Sequence, residues 1–277
     1  MLKKFGRSNW TPPGILAILV FSPLTAKATA ADQSREQVIR IVNQIRRADY
    51  EGDRAALQRL RLQLTPFVVN KDLSSRVRYW RGFALWRRAI NGFNDHVDQK
   101  DLQADLLHAL DEFDNAVAKD PAFVDAKIGA LGCAGYLAFG TGEKDSQRIE
   151  QWIAKGRTLQ AEAQAADPDN PRLMWVDGPG VWFTPPDHGG GHAKAIEVYK
   201  KGLETIRKRA ASSDPLEPTW GEPELLMSLA WSNLNRSTPD LNAAEQNARS
   251  ALEMVPYWHY VKDILLPQIQ AAKKTQN

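Results

Sequence analysis

Few residue groups in this chain have the types and spacing to do chemistry, and each has a structural alternative. His188 and His192 stand four apart, beside Asp187. Two histidines at that spacing on one helix can bind zinc. Three glycines, Gly189, Gly190 and Gly191, fill the gap here, so no continuous helix presents the pair, and no third ligand accompanies it. The same glycines precede a helix start, where free backbone N–H groups can hold phosphate. The Gly-x4-Gly-Lys-Ser/Thr order of a nucleotide loop is absent. Cys133, the only cysteine, lies in the small-residue run Gly129–Gly135 and reads as a buried structural residue. It cannot form an intrachain disulfide, and a nucleophilic thiol would need a histidine partner in space. Asp111 with Asp114, and Glu222 with Glu224, are the carboxylate pairs of any solvated helix surface. No Gly-x-Ser-x-Gly elbow or His-Glu-x-x-His helix occurs. We therefore expect no enzyme, no metal and no cofactor.

Binding is the better use for the unusual residues. Trp80, Trp86, Trp175, Trp182, Trp231 and Trp258 fall mainly on the first helices of helical hairpins, where aromatics can grip a partner or fill the core. Core filling is the first reading of each, and Trp86, Trp182 and Trp258 are the first candidates for exposure. The arginines between Arg76 and Arg88 read first as a solvated helix face, with Arg81 and Arg87 able to steer acidic partners. The segment from Asp177 to His192 is rich in proline and glycine and reads as a long loop. Such a loop either functions or packs Trp182 and Phe183 onto the fold as a cap. The expected partner-binding set is Arg81, Trp86, Arg87, Trp182, His188 and Trp258.

These residues must be positioned by helices. Val38, Ile41, Val42 and Ile45 fall on one face of a helix at 33–49. Leu57, Leu60 and Leu64 line a second, ended at Pro66. Further helices are predicted at 74–92, 102–118, from Pro121 to 139, 146–166, from Pro171, 192–211, 222–235, 241–254 and 257–273. One helix ending recurs: a small residue, a second residue four on, and a small residue three further. It reads Ala109, Phe113, Ala116 before Asp120-Pro121, and Gly156, Gln160, Ala163 before Asp167-Pro168. It reads Ala244, Ala248, Ala251 before Pro256, and Ala195, Tyr199, Gly202 in the helix expected to stop at Asp214-Pro215. The three Asp-Pro turns are 47 residues apart each time, a period that signals stacked helical hairpins.

Ala109, Phe113, Ala116 and Pro121, with Trp80, Phe83 and Ala84 on the preceding helix, resemble the tetratricopeptide repeat (TPR) superfamily. The insertion Asn91–Lys100 delays the second helix of that unit. The resemblance covers most of residues 33–272 with degenerate repeats. It implies an all-α fold, a right-handed superhelical stack of about five TPR-like helical hairpins with a C-terminal capping helix. It also implies a scaffold or adaptor that binds a protein or peptide partner on its concave surface. The alternative it offers is a small-molecule binder, holding a small apolar ligand, similar to the TPR-like accessory components of TRAP-type transport. A closed, dry pocket beside the Gly178–His192 loop favours that alternative; an open groove favours the adaptor.

Residues 1–30 read as a cleavable secretory signal. Lys3, Lys4 and Arg7 precede the apolar run Gly14–Phe21, and Ala28-Thr29-Ala30 forms a small-residue cleavage site, with Ala26-Lys27-Ala28 as a nearby alternative. The apolar run is well short of the ~20 residues that span a bilayer, so no stable membrane insertion is expected after cleavage. The whole chain carries a net charge of +3, and four basic residues of it belong to this segment. Residues 31–277, read as one TPR-like domain, then hold 32 basic against 33 acidic residues. That balance excludes a broad nucleic-acid surface. The expected location is the periplasm, or another exported one.

Overall fold

The structure is a computed structural model that describes residues 30–276. The signal reading of residues 1–30 falls, save for Ala30, outside the described residues. Among these the secondary structure is helical throughout. The helices are α1 (Ala30–Glu51), α2 (Arg54–Gln63), α3 (Ser74–Asn94), α4 (Gln99–Lys119), α5 (Val124–Phe139) and α6 (Ser146–Ala166). They continue as α7 (Pro171–Phe183), α8 (His192–Lys208), α9 (Glu222–Asn235) and α10 (Leu241–Met254). A π-helical turn, Tyr260–Leu265, leads into α11 (Leu266–Gln276). Consecutive helices pair as five hairpins, α1/α2 to α9/α10, and α11 packs on α10. No helix among the described residues is long and apolar enough to cross a membrane.

Local chemistry sets the boundaries. Asp53, Asp98, Asp145, Asn170 and Asp240 each cap the helix that follows by accepting a backbone N–H of its first turn. Each Asp-Pro pair makes a turn closed by a backbone bond from the residue three on: Phe123 to Asp120, Asn170 to Asp167 and Glu217 to Asp214. Proline at the second position suits that turn. The first two turns start where a helix ends and lead directly into the next. The third does not, because α8 stops at Lys208 and not near Asp214 as the repeat predicts.

The recurring small residues let helices approach closely. Ala109, Phe113, Ala116, Ala195, Ala244, Ala248 and Ala251 are all buried, with Tyr199 beside them. A Cβ at Gly129 would lie 2.5 Å from the Phe113 ring, and one at Gly132 the same distance from Trp86. The small-residue run of α5 is thus the surface that receives two large aromatics of its neighbours. Burying each such ring stabilises by about 3 kcal/mol.

Other boundaries differ from the sequence reading. The insertion shrinks to residues 95–98, because α3 and α4 both extend into it. α7 continues through Gly178-Pro179-Gly180 to Phe183, so the predicted long loop is only residues 184–191. Gly178 serves packing there: the Tyr199 ring occupies the space a side chain would need, 2.0 Å from its Cβ position. The stack also closes on itself. Tyr50 of α1 meets Trp258 edge-on at 5.0 Å, and His259 lies against Gly52.

Candidate functional site

The most developed recognition geometry lies where the connection 209–221 folds back across the first helices of the hairpins. Residues 214–217 form the Asp-Pro turn and residues 218–220 run on from it without helix, with Leu216, Pro218 and Trp220 buried and Pro215 and Thr219 exposed. Side chains from three helices address its main chain. Arg46 of α1 donates to the carbonyl oxygens of Pro215 (3.0 Å) and Glu217 (2.9 Å). Trp80 of α3 donates its indole N–H to Leu216 O at 2.7 Å, and Arg172 of α7 reaches Trp220 O at 3.3 Å. Two arginines take its carboxylates: Arg35 meets Asp214 at 2.7 Å, and Arg76 meets Glu217 at 2.6 Å.

Aromatics receive the apolar side. The Trp220 ring lies 5.5 Å from Trp175, 5.8 Å from Trp86 and 6.0 Å from Phe83, and its N–H donates to the Tyr79 hydroxyl at 2.8 Å. The Arg46 guanidinium stands 4.6 Å above the Trp80 ring, and that of Arg76 3.8 Å above Phe123. Burial disfavours the Arg76 charge, but its bonds to Asp120 and Glu217 outweigh this and raise its pKa. Arg172 is raised likewise against burial by Asp125, which pairs with it.

A buried polar clasp sits behind this segment. Arg87 donates Nε to Asp49 at 2.7 Å and Nη2 to Glu224 at 3.4 Å. Glu224 also accepts from the Tyr50 hydroxyl (2.9 Å) and from the Gly221 backbone N–H (2.8 Å). Asn91 donates to the Asp49 carbonyl oxygen at 3.0 Å. The clasp ties α1, α3 and α9 together. Burial lifts the Asp49 carboxyl above its ordinary range, with Arg87 pulling the other way. Burial also acts against Arg87, yet Asp49 and Glu224 hold it firmly protonated.

Of the six residues predicted to bind a partner, His188 is exposed, Arg81 is half-buried and the other four are buried. The reading of Trp86, Trp182 and Trp258 as candidates for exposure is corrected, since they are 1%, 6% and 4% exposed. Trp86 fills the groove over Gly132, Trp182 stacks on His192 at 3.9 Å, and Trp258 packs on Tyr50. Arg87 belongs to the clasp. Arg81 bonds Glu112 and Thr65, so its charge is used within the fold. Arg35, Arg46, Arg76, Arg172, Leu216 and Trp220 were missed. The alternation of Leu216, Pro218 and Trp220 was the available signal.

The other sequence candidates separate in space or in chemistry. The His192 ring is engaged by Trp182, while His188 lies 4.0 Å from Asp187 on the exposed loop. Among the described residues, no three His, Cys, Asp or Glu side chains gather to hold a metal ion. Cys133 is buried, and burial pushes its thiol well above the usual range. Two open clefts lie at Arg236–Asn242 with Lys273, about 470 Å³, and between α1 and α2, about 260 Å³. Neither borders residues 184–191.

No family model matches the chain, and no curated protein does. Among solved structures, the HusA haemophore from Porphyromonas gingivalis superposes with a TM-score of 0.57 at 17% identity, covering 74% of this chain and 95% of that one. The likeness establishes a shared helical fold. A thermophilic TPR protein from Thermus thermophilus aligns at 18% identity and a TM-score of 0.43, covering 81% and 100%. The chain is an all-α stack of helical hairpins.

Proposed function

We propose that this protein is a non-catalytic helical scaffold, working outside the cytoplasm, that holds an acidic, non-helical segment of a partner polypeptide. One observation carries the reading. Helices α1, α3 and α7 present donors that grip four main-chain carbonyls and two carboxylates of the non-helical segment 214–220. Main-chain contacts of this kind supply affinity, while pockets for alternate side chains supply specificity. The aromatic box around Trp220 is such a pocket. The leader-like pattern in residues 1–30 supports export. The test is selection of short peptides from a random library on the immobilised protein. Enriched peptides should carry two acidic residues around apolar anchors, and should be lost when Arg35 and Arg76 are both replaced by Ala. Enrichment that ignores those arginines, or none at all, would sink the reading.

A second reading, carriage of a small apolar ligand, has one observation in its favour. Phe139 and Phe183, at the C-terminal ends of the neighbouring helices α5 and α7, stand 77% and 78% exposed on a fold shared with a haemophore. Titration with haem should then shift its Soret band in a saturable way, and the shift should be lost in Phe139→Ser/Phe183→Ser. An unchanged haem spectrum rejects this reading.

A further inference from the structure

The connection between α8 and α9 is longer than the stack requires. It runs over residues 209–221, whereas those after α4 and α6 need only residues 120–123 and 167–170 to join the same kinds of helix. Its Asp214-Pro215 turn repeats the Asp120-Pro121 turn in detail. Asp214 accepts from the Leu216 N–H at 2.8 Å, as Asp120 does from Ala122 at 3.2 Å. The difference is position: residues 209–213 have been placed ahead of the turn, and all five are exposed. They form a leash on one side of the segment. On the other side Gly221 has φ +132°, a conformation open to glycine alone, and makes the sharp return into α9.

Between leash and hinge, the segment meets the fold as a bound peptide would. Its two charges face opposite charges near the surface: Arg35 and Asp214 are 39% and 38% exposed, and Arg76 and Glu217 24% and 25%. Its anchors enter at alternate positions and its main chain is held by side chains, not by a sheet or helix. We infer that residues 214–220 are an intramolecular ligand that occupies the recognition face and is exchanged for a partner segment of the same kind: an acidic turn running into a non-helical stretch, with apolar anchors at alternate positions. This rests on the scaffold reading above and adds an autoinhibitory step to it.

The test supplies the segment in trans. A fluorescein-labelled synthetic peptide with the sequence of residues 213–221 is titrated by anisotropy into the purified full chain and into two variants. Leu216→Ala/Trp220→Ala empties the anchor positions. Asp214→Lys/Glu217→Lys keeps the anchors but sets the segment against Arg35 and Arg76. Both opened variants should bind the peptide at least tenfold more tightly than the unmodified chain, and a peptide lacking the leucine and tryptophan should bind neither. In the charge variant, amide exchange over residues 214–220 should quicken at least tenfold while the helices stay protected. A folded variant that binds the peptide no better than the unmodified chain overturns the inference. Loss of the folded helical signal in both variants overturns it too, because a segment the fold cannot stand without is core and not ligand. The scaffold reading fails separately. Trans binding of the 213–221 peptide without any library peptide selected leaves the intramolecular ligand standing alone. A library peptide bound equally by the unmodified and opened chains places the partner elsewhere and removes the autoinhibition.

Discussion

The indole N–H of Trp80 donates to the main-chain oxygen of Leu216, 136 residues further along the chain, at 2.7 Å, with both residues fully buried. The bond fastens the second hairpin to the connection between the fourth and fifth. Trp80→Phe keeps an aromatic ring in place but leaves that oxygen without its donor. A buried acceptor left unsatisfied costs about 1–3 kcal/mol. Urea denaturation should show a loss of about 2 kcal/mol or more with the native far-ultraviolet circular dichroism unchanged. A loss below about 0.5 kcal/mol would mean that water already reaches Leu216 O and that the segment stands open in solution.

Helix pairing was legible in the sequence because it follows from local pattern. The bounds of α6, α9 and α10 are reproduced to the residue, since Asp145, Asp240 and the proline turns mark them chemically. Gly178-Pro179 was misread as a break because the reason for its glycine is the Tyr199 ring on the next helix. The inner face was misread for a related reason. Trp86 and Arg87 lie on a first helix, where an open stack would expose them, yet here Trp220 packs against Trp86 while Asp49 and Glu224 close over Arg87. A contact between residues 80 and 216 leaves no periodic trace.

The clasp gives a second prediction. Arg87, Asp49 and Glu224 are 3%, 2% and 0% exposed, so a cut in the network strands charge in the interior. Breaking a buried pair by removing one partner costs about 3–5 kcal/mol. Arg87→Ala should therefore lose about that much in chemical denaturation. Arg87→Met with Asp49→Leu should lose clearly less than the sum of the two single changes, because no lone carboxylate remains at that end of the network. Additive losses would show that the three groups do not act together.

Stability should also depend on pH through Asp177. Burial pushes its carboxyl up to about 6, with a bond from Gln160 opposing. The folded state then holds this proton more tightly than the unfolded chain, whose aspartates titrate near ~3.9. The stabilising effect is complete below pH ~4 and is lost as pH rises to about 6. Asp177→Asn should be close to neutral at pH 4 and stabilise by about 2 kcal/mol at pH 7.5, the shift being discounted because the side chain keeps some contact with water. An equal effect at both pH values would remove Asp177 as the cause.

The last prediction separates packing from backbone freedom at Gly178. Its backbone is helical, so an alanine there would normally help by about 1 kcal/mol through helix propensity. The structure predicts the reverse. A Cβ would lie 2.0–2.3 Å from two ring carbons and the hydroxyl oxygen of Tyr199, and that side chain is buried. Gly178→Ala must therefore move Tyr199 or part α7 from α8, at a cost of about 1–3 kcal/mol, the range for overpacking a close-fitted core. The cause can be isolated by a second change. Tyr199→Ala makes room for the methyl group but leaves a cavity, so it is destabilising alone. In its presence Gly178→Ala should become neutral or stabilising, a reversal of sign readable from thermal or urea unfolding. If alanine at position 178 is equally harmful in both backgrounds, the glycine is required by the backbone itself, and the close approach of α7 to α8 is not the reason this helix tolerates a Gly-Pro-Gly run.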